Sequence, residues 1–351
     1  MNNIAQISMD GPNVNWKFFG DLKSKIHNDF GSVLINIDSC GVHIMHNAFK
    51  RGMDATGWKV DSYLSSLYRL FKDAPARNED FLKVTNSDVM PLKFVNHRWL
   101  ENVPAAQRAI DMWDSVLIYV KASEEGTINK PKNCKSYETI KECVNDKCFL
   151  AKLYYFKCIA LQLQPFLVKY QTNNPMVPFL SNDLCMLIRA LMRRFVKRDN
   201  LDGLNDEKLV KLDIKDTKIH VIYKRIDEGF ANEKLKGTNA SKPSEREIME
   251  FKMQSKECLI ALLSKLLEKC PVTYSLVRHS ICFHPQKMVK DKDGSLAHFK
   301  KVLTLLVNHN RVAEKDCDPL IEEYNLFLDK IPEIGISKFK DFDPNDGYSF
   351  L

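Results

Sequence analysis

The chain has 351 residues, of which 44% are hydrophobic and 28% are charged, and its formal net charge at pH 7 is +7. This composition is typical of a folded globular protein and excludes a disordered chain, while the modest positive charge permits a nucleic-acid partner without requiring one. The ten cysteines are scattered, which indicates a reducing compartment, and neither a signal peptide nor an apolar run long enough to span a bilayer is visible.

The first predicted elements are two strands joined by a helix. Residues 4–9 form an apolar run that ends at Asp10, and a Gly-Pro pair then stops the strand because proline cannot donate to a β-ladder. A helix begins near Asn13 with apolar residues at positions 14, 18, 22 and 26, and residues 33–37 form a second apolar strand. Such a β-α-β unit favours a right-handed crossover and a parallel strand pair.

From residue 41 onward the apolar periodicity predicts helices, so the expected fold class is mostly α with a small α/β part. The predicted helices cover residues 41–53, 60–71, 104–120, 148–170, 180–197, 245–268, 295–308 and 319–328. We expect Pro75 to close the second of them, residues 123–135 to form a polar linker, and residues 331–351 to form a loose tail rich in Pro, Gly and Asp.

Two carboxylates stand at the ends of the predicted strands. Asp10 follows the first strand and Asp38 the second, a position at which carboxylates bind Mg²⁺ in nucleotidyl-transfer enzymes. Chemistry with two metal ions needs several acids that converge on one point. A turn or cap role is the alternative for each acid, and it is the more frequent role of an isolated strand-end carboxylate.

A cysteine–histidine pair follows the second strand. Cys40 and His43 have Cys-x-x-His spacing, and His46 lies a turn later. A structural zinc site needs four ligands, and the other close pair, Cys282 with His284, lies far along the chain. The alternative, which we favour, is a small buried cysteine with a hydrogen-bonded histidine at the start of a helix.

Two basic stretches are candidates for nucleic-acid binding. In the first, the guanidinium of Arg98 suits a phosphate and the indole of Trp99 suits a base, although a core tryptophan beside a surface arginine is the commoner arrangement. The second is a predicted helix over residues 187–198 with five cations and no acid: Arg189, Arg193, Arg194, Lys197 and Arg198. Positions 189, 193 and 197 would share one face, whose repulsion a phosphate backbone or an acidic partner would relieve. The alternative is a solvated face that acids of other helices neutralise.

Three ordered motifs resemble those of the hAT superfamily of transposases. Residues 8–15, SMDGPNVN, resemble its (T/S)-D-(G)-x-x-N motif, in which the Asp is the second acid of the catalytic triad. Residues 40–43, CGVH, resemble its C-x-x-H motif. Residues 97–102, HRWLEN, resemble its T-R-W-N-S box, with His and Leu-Glu-Asn where Thr and Asn-Ser are usual. The segments PFL at 178–180 and RRFVKR at 193–198 extend the resemblance over nearly the whole chain.

The resemblance implies an RNase H-like core interrupted by a large all-helical insertion domain, with DNA as the ancestral substrate and Mg²⁺ or Mn²⁺ as the cofactor. By carry-over, Asp10 matches the second catalytic acid, and Cys40 and His43 match residues that line the site. Arg98 and Trp99 match the pair that handles a DNA hairpin or a flipped base, where stacking on the indole offsets part of the unstacking cost.

The predicted organisation is a partial RNase H-like core over residues 1–55, a β-α-β remnant, followed by a helical insertion-type domain over residues 56–330 and then the tail. Nine residues precede Asp10, so the family's first catalytic Asp has no match, and neither does its final Glu in an E-R-x-F-S type motif.

We therefore expect a catalytically incomplete, transposon-derived nuclear protein that retains nucleic-acid binding and needs no cofactor unless its site is completed. Candidate partners are DNA and other transposase-derived chains, and no interaction with a membrane is expected. The alternatives are a helical protein-interaction scaffold and a fragment of an active Mg²⁺-dependent transposase or nuclease.

Overall fold

The structure, a computed structural model, describes residues 6–9, 13–31, 34–39, 41–172, 174–236 and 242–343. Over these residues the chain is mostly helical, with two short strands near its start, which confirms the mostly-α fold class. None of the described helices combines the length and the hydrophobicity that a membrane-spanning helix requires. The nine cysteines described are all free thiols.

Strands β1 (Gln6–Met9) and β2 (Asn36–Ser39) form a parallel pair, and helix α1 (Asn13–Phe30) connects them. The pairing agrees with the predicted β-α-β connectivity, although β2 begins later than the predicted strand at residues 33–37. In the register Gln6 lies opposite Asn36, and Met9 lies opposite Ser39. No third strand joins the pair within the described part of the chain.

Helix α1 buries one narrow face. Phe19 and Ile26 are buried with Leu34, and Leu22 packs against them. Phe18, which was predicted to lie on this face, is 58% exposed. The prediction was wrong because an exact four-residue repeat drifts around a helix of about 3.6 residues per turn, whereas i, i+3, i+7 spacing keeps to one side.

The remaining helices form the body of the protein. In chain order they are α2 (Gly41–Ala55), α3 (Val60–Phe71), α4 (Pro75–Thr85), α5 (Val103–Asp111), α6 (Trp113–Glu124), α7 (Lys135–Asn145), α8 (Phe149–Tyr170), α9 (Val177–Met192), α10 (Asp206–Val210), α11 (Glu245–Lys269), α12 (Ser275–His279), α13 (Pro285–Lys290), α14 (Lys292–Asn308), α15 (Cys317–Ile334) and α16 (Ile336–Lys340). Short 3₁₀ helices lie between them at Trp99–Asn102, Arg198–Asn200, Thr217–Ile219, Tyr223–Arg225, Gly229–Lys236, Pro271–Thr273, Ser280–Phe283 and Glu314–Asp316.

Helix α2 lies along α11 at the centre of the main hydrophobic core. Its apolar face, which includes Met45 and Phe49, is fully buried in that core. Gly52 lets the two helices approach closely, because a Cβ at this position would lie 2.9 Å from the carbonyl oxygen of Cys258. The packing places α2 in the helical body, whereas the predicted organisation grouped it with the strands over residues 1–55.

Several described helices lie in segments that were not predicted to be helical, among them α4 and α7. Helix α4 begins at Pro75, so this proline starts a helix, a role that its fixed φ and missing N–H allow in the first turn. Helix α7 follows the predicted polar linker, and side-chain hydrogen bonds connect the end of α6 to the linker and to α7. In these contacts the carboxylate of Glu124 accepts hydrogen bonds from Lys130, Tyr137 and Lys141.

The C-terminal segment is helical and packed where a loose tail was predicted. Helices α15 and α16 cover most of it, and Phe339 is fully buried in a second hydrophobic core. Phe342 stacks on Phe179 of α9 with ring centroids 5.8 Å apart. Burial of these aromatic rings stabilises the segment despite its composition. The loose-tail prediction was therefore wrong for residues 331–343, and residues 344–351 lie outside the described part.

Candidate functional site

The turn that carries Trp99 is held by one buried amide. Asn102, at the end of this 3₁₀ helix, is 1% exposed. Its Oδ1 accepts the N–H of Val95 at 2.7 Å, and its Nδ2 donates to the carbonyls of Val95, Arg98 and Trp99 at 3.0, 3.2 and 3.1 Å. The side chain thus gives the Val95 N–H its partner and adds a hydrogen bond to each of three carbonyls, which holds the turn that carries Trp99.

Leu100, the next residue along, is held from two helices. Its N–H donates to Nδ1 of His46 on α2 at 3.1 Å, and its carbonyl accepts from Nε2 of Gln164 on α8 at 2.8 Å. Burial lowers the pKa of His46, so the ring is neutral and Nδ1 can accept. His46 therefore acts as a hydrogen-bond acceptor in the core.

Trp99 is a core side chain at the edge of a cleft. It is 5% exposed and packs against Phe94, Phe49 and Phe156, with ring centroids 5.4, 6.4 and 6.4 Å away. The Nζ atom of Lys50 lies 5.1 Å from its ring centroid, within the range of a cation–π contact. Its Nε1–H has no hydrogen-bond partner among the described residues.

The cleft beside Trp99 is polar and has a volume of about 480 Å³. Its lining consists of the cations Lys50, Arg69 and Lys135, the hydroxyl residues Ser62, Ser65, Ser66, Ser136 and Thr139, and Asp61, Asn96 and Trp99. We call it the Trp99 cleft. Cations and hydroxyl groups are the side chains that bind phosphate oxygens, so this lining is suited to an anionic ligand.

The walls of the Trp99 cleft come from four parts of the chain. Helix α2 contributes Lys50, the connector before α5 contributes Asn96 and Trp99, and α3 and α7 contribute the remaining residues. On α3 the polar positions recur at spacings of three and four from Ser62 to Arg69, which is the polar face of an amphipathic helix. That spacing is visible in the sequence, but only the packing shows that this face meets α7 and the connector.

The charge in the Trp99 cleft is unevenly compensated. Lys50 pairs with Asp54 at 2.6 Å, and Asp61 is the acid in the lining. Arg69 and Lys135 are exposed, and neither side chain has an ion-pair or hydrogen-bond partner within the described ranges. The first turn of α7, which lines the cleft, has no side-chain cap, so its N–H groups add partial positive charge.

The structure separates the two members of the predicted Arg98–Trp99 pair. Trp99 lines the cleft, whereas Arg98 does not. The Nη1 atom of Arg98 lies 3.2 Å from Oε1 of Glu101, and both side chains are exposed. The sequence therefore located the cleft through Trp99, but it missed the three cations that line it because they lie on other helices.

The predicted basic helix over residues 187–198 is interrupted, which corrects that prediction. Helix α9 ends at Met192, and Val196 forms an isolated antiparallel bridge with His220. Phe195 and Val196 are buried in the main core. Long-range backbone pairing and the burial of two apolar residues thus override the local helical pattern.

The interruption disperses the five cations. Arg189, Arg194 and Lys197 donate hydrogen bonds to backbone carbonyls of neighbouring loops. Arg193 and Arg198 are exposed. The single face predicted for positions 189, 193 and 197 is therefore not formed, and at least three of the cations have structural roles.

The residues predicted for catalysis and metal binding are only partly described. Asp10 and Cys40 lie outside the described residues, Asp38 pairs with Ser8 in the strand register, and His43 is exposed on α2. Within the described part of the chain, no three His, Cys, Asp or Glu residues lie together as a metal-binding group. The resemblance implies that Mg²⁺ or Mn²⁺ would be bound at Asp10, which lies outside the described residues. The proposed function therefore includes no metal-dependent step.

Removal of the Asn102 amide should destabilise the turn that carries Trp99. For Asn102→Ala we expect the free energy of unfolding to fall by about 2 kcal/mol, because the Val95 N–H loses its partner and three carbonyls each lose one hydrogen bond. Denaturant unfolding and hydrogen exchange at the Val95 amide measure the effect. Asn96→Ala is the control, since Asn96 is exposed on the same connector and should change stability by less than about 0.5 kcal/mol. Equal losses of stability for both variants would contradict the role of Asn102 in holding this turn.

Comparison with known proteins adds no assignment, because no protein-family model, curated protein or solved structure matches this chain. Its function is therefore inferred from the chemistry of the Trp99 cleft and from the motif resemblance.

Proposed function

We propose that this chain is a hAT transposase-derived protein that binds nucleic acid through the Trp99 cleft. The observation that carries the proposal is the convergence of Lys50, Arg69 and Lys135 beside Trp99, the motif residue that the resemblance associates with DNA. Phosphate contacts from lysine and arginine supply most of the affinity in sequence-independent binding. The protein is proposed to act in the nucleus, or in both the nucleus and the cytoplasm, without a catalytic cofactor.

The parallel β-α-β unit supports the proposed origin. An RNase H-like core would contain such a pair, with Asp10 directly after β1 and the C-x-x-H segment directly after β2. On this proposal the strand pair is a remnant of a larger sheet, and the helical body is the insertion-type domain. The alternative of an active transposase fragment predicts Mg²⁺-dependent nicking that Asp10→Ala abolishes.

The test of nucleic-acid binding is charge reversal inside the cleft. In fluorescence anisotropy with a labelled 20-nucleotide DNA at about 0.1 M salt, we expect a Kd of about 1 to 100 μM. The double variant Arg69→Glu/Lys135→Glu should weaken binding by about 30-fold or more, because charge-assisted bonds to two phosphates are replaced by repulsion.

The matched control reverses two exposed cations that do not line the cleft. Arg246→Glu/Lys300→Glu changes the net charge by the same amount, and neither residue has an ion pair among the described residues. We expect this control to bind within about three-fold of the unaltered protein, since distant exposed charges are screened at moderate salt. Equal losses in both double variants would remove the cleft from the proposal, and a correctly folded protein that binds no DNA or RNA would refute nucleic-acid binding.

A helical protein-interaction scaffold is the second candidate function. A groove of about 830 Å³ between α8 and the C-terminal segment favours it. Its lining includes Leu161 and Val168, which are 45% and 73% exposed. Exposed apolar side chains grouped along a groove are typical of protein-binding surfaces. If the protein fails to bind nucleic acid in the anisotropy assay, this candidate is preferred.

A further inference from the structure

The indole of Trp99 is occupied by the protein's own side chains. Phe94, Phe49 and Phe156 surround it, and the ammonium group of Lys50 lies 5.1 Å from its ring centroid. Stacking a base on Trp99 requires an open ring face, yet the residue is only 5% exposed. A flipped base would have to displace Lys50 or separate a buried aromatic cluster, so base stacking, the role carried over from the resemblance, does not fit this geometry.

The groups that remain accessible in the Trp99 cleft are those that bind phosphate. Arg69 and Lys135 are exposed, and neither has an ion-pair partner among the residues described. Ser136 and Thr139, on the first turns of α7, place hydroxyl groups in the same lining. The uncapped N-terminus of α7 adds backbone N–H groups directed along the helix axis.

Lys50 completes this arrangement at the Trp99 wall. Its ammonium group lies 5.1 Å from the centroid of the indole ring and 2.6 Å from the carboxylate of Asp54. Asp54 and Asp61 together offset two of the three positive charges. The net positive charge in and beside the cleft is therefore small, so binding should be weak, and added salt should weaken it further.

We propose that the Trp99 cleft binds phosphate groups of a nucleic-acid backbone and does not read or stack the bases, with Trp99 positioning Lys50. This inference rests on the proposed function, because it names which part of the nucleic acid the cleft contacts. The ligand chemistry is a row of phosphate groups, each with at least two unsubstituted oxygens. Inorganic tripolyphosphate provides such phosphate groups without bases or sugars. Its binding therefore distinguishes a site for phosphate alone from a site that requires a nucleic acid.

The first experiment compares normal and abasic single strands of equal length. At equal salt we expect the two Kd values to agree within about two-fold, because the contacts are to phosphate alone. Stacking of even one base would instead weaken the abasic strand by about 5- to 150-fold, the range that corresponds to 1–3 kcal/mol per stacked base. A loss of that size would overturn the inference and leave nucleic-acid binding intact.

The second experiment measures salt dependence and competition. Arg69→Gln and Lys135→Gln should each reduce the slope of log K against log salt by about 0.7 on single-stranded DNA, since each removes one phosphate contact. Asp61→Asn should strengthen binding by about three-fold, because it removes the acid from the lining. Unchanged slopes in both glutamine variants would overturn the inference.

Tripolyphosphate separates this inference from the proposed function. We expect it to compete with DNA for the unaltered protein, and the Arg69→Gln/Lys135→Gln protein should bind it at least about ten-fold more weakly. If no nucleic acid binds while tripolyphosphate binds and depends on these two residues, the proposed function fails and the phosphate site stands. If DNA binds and tripolyphosphate neither binds nor competes, the phosphate site fails.

Discussion

Replacement of Lys252 by methionine is expected to lower the free energy of unfolding by about 3 to 5 kcal/mol. Lys252 on α11 is 7% exposed, and its Nζ donates to both carboxylate oxygens of Glu228 at 3.0 and 2.8 Å. Glu228 is 2% exposed, and burial raises the pKa of its carboxyl group despite this partner. Without Lys252 the carboxylate would be buried with no cation beside it.

The pH dependence of this variant follows from the raised pKa of Glu228. A carboxyl group whose pKa is raised on folding favours the folded state most at low pH, where it is protonated, and this contribution is lost as pH rises through the folded pKa. Loss of Lys252 raises that pKa further. The deficit of Lys252→Met should therefore be larger at pH 8 than at pH 5, as measured by denaturant unfolding at both values.

Two further variants test whether the loss comes from the unpaired charge. Glu228→Gln/Lys252→Met removes both charges and should recover most of the lost stability, because a buried pair replaced as a whole costs little. Lys256 lies on the same helix and has no ion-pair partner in the described segments. Lys256→Met should therefore change the free energy of unfolding by less than about 0.5 kcal/mol. A double variant as unstable as Lys252→Met would contradict this explanation.

Replacement of Gly52 by valine is expected to cost about 3 kcal/mol, near the upper end of the usual range for an overpacked core. A Cβ at Gly52 would lie 2.9 Å from the carbonyl oxygen of Cys258 and 3.0 Å from Cβ of Leu262. The first of these atoms belongs to the backbone of α11 and cannot rotate away. Helices α2 and α11 would have to separate, which would loosen the centre of the main core.

The control for Gly52 is a glycine in a helix with free space around it. Gly20 in α1 has nothing within 4 Å of an added Cβ and is exposed. Gly20→Ala should therefore be neutral or stabilise the helix by up to about 1 kcal/mol, because alanine has the higher helix propensity. Thermal or denaturant unfolding measures both variants. A valine at position 52 with unaltered stability would show that the close helix approach is not required.

Local sequence patterns determined the elements that depend on short-range chemistry. The parallel connection around α1, the long helices α8 and α11 and the extended connector before Trp99 all follow from apolar periodicity and from glycine and proline positions. The predicted helix boundaries were wrong where contacts with residues distant in the chain determine them. Phe195 and Val196 leave the helical path because they are buried and the chain pairs with the strand-like segment at His220.

The candidate site shows the same division. Trp99 could be identified from the sequence, because aromatic and basic residues after an extended segment are a local signal. The grouping of Lys50, Arg69 and Lys135 around it could not, since these residues lie on three helices and only the packing of those helices brings them together. The same packing covers the faces of the indole. The sequence by itself therefore determined the secondary-structure class and the motif residue, whereas the tertiary structure decided which groups remain accessible to a ligand, because accessibility depends on contacts between residues distant in the chain.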